Sequence, residues 1–200
     1  MAATSFLNAS DPMPYESLAS IDRTHRIAGS GIWELPFGKG RHFGTNMSRP
    51  LDFLLGGWQL SGVMQRQSGQ PIDWGQMIIV GDSTKITLPS DQRNTDRWFN
   101  NSVFATGSAA TALTPASNIR TFPLRFSNIR FDSQRRWDFS LNKSFRITEA
   151  ARVRFRGDVF NLLNEPVLRG PNTSATSGAF ATITAQEPPR SFQFSLQLNF

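Results

Sequence analysis

Arg152, Arg154 and Arg156 stand at alternate positions of R-V-R-F-R-G-D-V-F-N, and Asp158 continues the alternation. Side chains alternate across an extended strand, so these four share one face and Val153, Phe155, Gly157 and Val159 share the other. Upstream, R-W-D-F-S-L-N-K-S-F-R-I places Asp138 and Arg146 on its own polar face. A row of guanidinium groups holds carboxylates or phosphates through paired hydrogen bonds and makes no covalent bonds of its own. The candidate site is therefore a charged wall of Arg146, Arg152, Arg154, Arg156, Asp138 and Asp158, built for binding or guidance rather than for catalysis.

Residues suited to catalysis are sparse. His25 and His42 are the only histidines, 17 residues apart in unlike contexts, and do not read as a metal pair. The absence of Cys removes disulfides and thiolate metal sites. No serine lies in a G-x-S-x-G elbow, the carboxylates are scattered, and Gly38, Gly40 and Gly44 around Lys39 lack the Walker spacing. The R-G-D at 156–158 follows from strand alternation. The expectation is no enzyme activity, no metal and no cofactor. The net charge of +6 comes from dispersed arginines rather than one basic run, which argues against nucleic acid as a partner.

The elements that must position the wall are strands. The clearest is 191–200, S-F-Q-F-S-L-Q-L-N-F: Phe192, Phe194, Leu196, Leu198 and Phe200 on one face, uncharged polar residues on the other. Ten residues span about 33 Å, enough for a tilted strand to cross a bilayer core. Similar alternation marks 26–35, 58–68, 136–147 and 152–161. The pattern is less clean in 26–35, where Ala28 and Ile32 share a face with Arg26, Ser30 and Glu34. Trp33, Trp58, Trp137, Phe145 and Phe200 lie at or near strand ends, where interfacial aromatics belong. Lys143 interrupts an apolar face four residues from its strand end, where its stem can snorkel to the boundary.

Between the strands, 148–151 is a tight connection, and 36–56 a longer one in which 51–55 reads as a packed turn too short for an independent helix. Residues 1–24 read as loop. The segments 69–134 and 161–190 are long, proline-bearing connections, the former with a Ser/Thr/Ala-rich tract at 106–117. Its aromatics, Trp74, Trp98 and Phe99, are expected to give it local packing, and aromatics of this stretch are candidates to touch a solute. Except that 36–56 is long for a turn, long connections on one side and short ones on the other fit an antiparallel up-and-down transmembrane β-barrel segment of about five strands. No apolar run of 18 residues offers a spanning helix, and the amino terminus has no secretory signal pattern.

Four stretches, 25–41 (H-R-I-A-G-S-G-I-W-E-L-P-F-G-K-G-R), 54–72 (L-L-G-G-W-Q-L-S-G-V-M-Q-R-Q-S-G-Q-P-I), 98–105 (W-F-N-N-S-V-F-A) and 136–166, resemble the carboxy-terminal barrel of TonB-dependent outer-membrane receptors, closest to the Oar-like group with a carboxypeptidase-regulatory-like domain. The resemblance implies a bacterial outer-membrane location, a 22-stranded barrel closed by a plug, and energised uptake of a bulky solute. Signal peptide, plug and most strands of that family are absent from these residues, so the expectation is a carboxy-terminal fragment, not functional alone. TonB would act only through the missing plug, the lumen arginines would pair with acidic plug residues or guide anionic solute, and outer-membrane lipid would cover the apolar face. Phe192, Phe194, Leu196, Leu198 and Phe200 would form the terminal signal read by the barrel-assembly machinery. The alternatives are a soluble all-β binding module for a carbohydrate-type ligand, with apolar faces packed together, and a porin-like oligomeric barrel.

Overall fold

Alternation over nine to thirteen residues leaves each strand with one greasy and one wet face, and strands of that kind pair side by side. A computed structural model describes residues 8–113 and 118–200; residues 1–7 of the amino-terminal loop and 114–117 of the Ser/Thr/Ala-rich tract lie outside the described residues. Five strands, β1 (Arg26–Glu34), β2 (Trp58–Gln67), β3 (Gln134–Arg146), β4 (Arg152–Phe160) and β5 (Ser191–Asn199), form one antiparallel sheet in chain order. The fold is the all-β segment expected from the sequence, and the sheet is open, with β1 and β5 as its edges.

The register keeps like with like. Trp33 pairs with Leu60, Leu60 with Leu141, Leu141 with Gly157 and Gly157 with Phe194, so one apolar rung crosses all five strands. No second sheet covers this face among the described residues, and Phe194 and Leu196 are 70% and 72% exposed. A soluble sandwich with its apolar faces packed together is not what the chain forms. At two of the glycines on these rungs, Gly62 and Gly157, a neighbouring ring lies over the gap. Phe139, opposite Gly62, comes so close that a Cβ on Gly62 would lie 2.8 Å from its ring edge.

The connection between β1 and β2 corrects an expectation. Rather than a packed turn, it contains a helix, α1 (Arg49–Leu55), with Pro50 in its first turn and Gly56 and Gly57 at its exit, Gly57 at φ +71°. The chain divides into two compact units. The sheet, α1 and residues 161–166 and 188–190 make one. Residues of 1–25, 68–133 and 167–187 make the other. This second unit contains a short helix, α2 (Gly107–Ala112), two 3₁₀ turns (Ser83–Lys85 and Asn101–Val103) and its own hydrophobic core.

That core bears out the local packing expected of Trp74, Trp98 and Phe99 and leaves these three little surface for a solute. Trp74, Trp98 and Phe99 are 2%, 9% and 0% exposed. Trp74 lies edge-on to Phe99 at 4.7 Å and stacks on Phe104 at 5.5 Å, and Phe180, from the later long connection, packs against both phenylalanines. Arg120 is buried beside them and donates to the carbonyls of Trp74, Phe122 and Pro123 at 3.0–3.1 Å. Loss of water around the guanidinium pushes its pKa down from the ordinary arginine value. The three hydrogen-bonded carbonyls compensate for that loss.

Candidate functional site

All six charges of the wall stand on the polar face of the sheet, on β3 and β4. Register sets their neighbours: Ser140 opposite Asp158, Asn142 opposite Arg156, Ser144 opposite Arg154, and Arg146 opposite Arg152. The two acids are each taken by an arginine two residues away on the same strand. Arg156 Nε donates to both Asp158 oxygens at 2.9 Å, and Arg136 Nε lies 2.6 Å from Asp138 Oδ2. Ser140 Oγ also donates to Asp158, and the Asn161 amide donates to Asp138 Oδ1 at 3.0 Å. Asp158 is buried by these contacts.

The wall therefore sorts into two parts. Toward the β3 start and the β4 end the charges are neutralised in pairs. Toward the tight 147–151 turn, Arg146, Arg152 and Arg154 form no ion pair among the described residues, and Arg146 directly faces Arg152. Like charges opposed across a sheet are unfavourable by a few tenths to about 1 kcal/mol. This half of the wall carries its positive charge without a paired acid among the described residues. Beside it lies an open polar hollow of about 410 Å³, lined by Glu34, Arg41, Gln59, Asn142, Ser144 and Arg154. Arg41 closes onto Glu34 at 2.8 Å.

The apolar face carries the aromatics. Trp58 and Phe145 flank Lys143 at 5.2 and 5.0 Å from its ammonium nitrogen, and Trp33 lies one rung further along. Trp137 stands eight residues before Phe145 on β3, about 26 Å along the strand at 3.3 Å per residue. On a strand tilted by about 40° that span covers about 20 Å of height, most of the apolar band of an outer-membrane barrel, about 25 Å. Phe200 is fully exposed at the carboxy terminus. Phe192, Phe194, Leu196 and Leu198 form one exposed row on β5.

Lys143 departs from the snorkelling expectation. It is 4% exposed and donates to the Phe53 carbonyl of α1 rather than reaching for water. Sequence reasoning missed this contact and also Ser140, the hydroxyl that fastens Asp158. Pro50 at the helix start and the Gly-Gly exit were the available signals for α1. Nothing in the sequence marks which of the polar-face serines meets an acid.

His25 and His42 belong to different units, and no group of three or more His, Cys, Asp or Glu is placed to hold a metal among the described residues. The R-G-D lies inside β4, its Arg and Asp bonded to each other. No curated protein and no solved structure matches the chain. A family model does: the outer membrane beta barrel domain, over residues 2–193. With five antiparallel strands, one face apolar and uncovered and the other charged, the chain belongs to the outer membrane beta barrel domain family.

Proposed function

We propose that the chain forms the carboxy-terminal part of the barrel of a bacterial TonB-dependent receptor of the Oar-like group, supplying wall and outer loops for energised uptake of a bulky solute. The observation that carries this reading is the unneutralised half of the wall. Arg146, Arg152 and Arg154 point into what would be the lumen, and an acidic plug segment is the partner that removes their mutual repulsion. The tight turn 147–151 and the connection 35–57, long for a turn, are then periplasmic, and the longest connections extracellular. The β5 row and Phe200 serve as the signal for barrel assembly.

In-frame DNA upstream of Met1 encoding a plug and a signal peptide is the expected finding. A promoter and stop codons immediately before Met1 would contradict the reading. In the receptor so defined, the triple change Arg146→Gln, Arg152→Gln and Arg154→Gln should release the plug at lower urea concentration while the barrel keeps its heat-modifiable mobility on a gel. Unchanged plug retention would remove the arginines from that role. The open edges β1 and β5 also suit a porin-like assembly of several copies. A ladder of oligomers on a semi-denaturing gel would favour that arrangement.

A further inference from the structure

The connection between β1 and β2 is more elaborate than a turn needs. Of the seven residues of α1, four are large and apolar, and Leu51, Phe53, Leu54 and Leu55 are 50–61% exposed. No residue of the helix is buried. A seven-residue helix is marginal in water without a packed face, so its support must come from outside itself.

That support comes from the apolar side of the sheet. Lys143 Nζ donates to the Phe53 carbonyl, and Trp58 Nε1 donates to the Leu54 carbonyl at 2.8 Å. Both are carbonyls of the last turn, which has no intrahelical donors for them. The Phe53 ring packs on Phe145 of β3 at 4.8 Å. Asp52 turns the other way, accepting from the Lys39 amide at 2.7 Å and so tying the helix to the preceding loop. The helix is thus fastened, through Phe53 and two carbonyls, to the same face that Phe155, Leu196 and Leu198 extend, while Leu51, Leu54 and Leu55 stay exposed. Lys39 and Arg49, both exposed, flank it with positive charge.

We propose that α1 is an interfacial anchor that lies in the lipid boundary of the periplasmic leaflet, and that Lys143 and Trp58 are the positioning residues that hold it there. The occupant of the exposed leucine surface is phospholipid: acyl chains against Leu51, Leu54 and Leu55, phosphates near Lys39 and Arg49. The attachment of the helix to the apolar face of the sheet, through Lys143, Trp58 and Phe145, argues for lipid over a protein partner. Lys143 then solves two problems together. Its charge is shielded from hydrocarbon by the helix, and the helix gains a donor for its open end. The proposal rests on the outer-membrane reading of the sheet.

The chain has no cysteine, so single cysteines at Leu51 and Leu54 can each carry an environment-sensitive fluorophore in the full chain. The preparation is vesicles of phosphatidylethanolamine and phosphatidylglycerol containing phospholipid spin-labelled high on the acyl chain. Leu196→Cys on β5 reports lipid contact of the sheet, and Lys85→Cys reports water. The expected result is at least twofold quenching by spin-labelled lipid at 51, 54 and 196, with only position 85 quenched by aqueous iodide. Lipid quenching at 196 with iodide quenching at 51 and 54 would overturn the anchor alone. Iodide quenching at 196 would overturn the membrane reading and the anchor with it. Adding Lys143→Met to the Leu54→Cys chain should halve lipid quenching at 54 and leave 196 unchanged. Unchanged quenching at both would overturn the role of Lys143. Trp58→Phe removes the second tie and decides the matter in the same way if Lys143→Met prevents insertion.

Discussion

Arg120 and Lys143 are buried cations, and both are held by backbone carbonyls. Arg120 spends its fork on Trp74, Phe122 and Pro123, and its guanidinium lies 4.3 Å over the Phe122 ring. Arg120→Met should leave three carbonyls without donors and cost the second unit about 3 kcal/mol. Arg120→Lys should recover only part, because an ammonium lacks the planar fork. Urea unfolding followed by the fluorescence of Trp74 and Trp98 measures both, and equal stability of Arg120→Met and wild type would show that the cation does not hold this core. Neither role was legible in the sequence. N-I-R-T-F-P gives Arg120 no mark, and Lys143 reads as a boundary residue because its partner carbonyl lies 90 positions away. By contrast the charged wall was readable residue by residue, since alternation alone decides which side chains share a face.

At the scale of the element, the strands were the readable part for the same reason. A period of two over nine or more residues leaves little freedom, and each strand falls within two residues of its expected ends. α1 was not readable, because its stability comes from the sheet rather than from its own seven residues. Glycines on the apolar face show a second tertiary effect that the pattern hides. Gly62 leaves room for Phe139, so the strand pair depends on a missing side chain. Gly62→Leu should force the ring from its place and cost about 1–3 kcal/mol. Combined with Phe139→Ala, the same change should cost less than the sum of the two single changes. The temperature at which the heat-modifiable band is lost measures both, and strict additivity would mean that the ring does not depend on the gap.

The whole molecule is a sheet unit with no interior of its own and a second unit that has one. The division was only half visible in the sequence. The long connections could be recognised as such, but residues from both of them, 72–131 and 168–183, share one aromatic core, and such a core has no periodicity to find. What the sheet unit lacks in core it must obtain from hydrocarbon on one side. The bare β5 row is the plainest statement of that need. Single cysteines walked along β5, from Phe192 to Leu198, and scored for reaction with a membrane-impermeant thiol reagent in vesicles, test the point most directly. The expected pattern has a period of two: positions 193, 195 and 197 labelled, positions 192, 194, 196 and 198 protected. Uniform labelling of both rows would contradict a lipid-facing sheet.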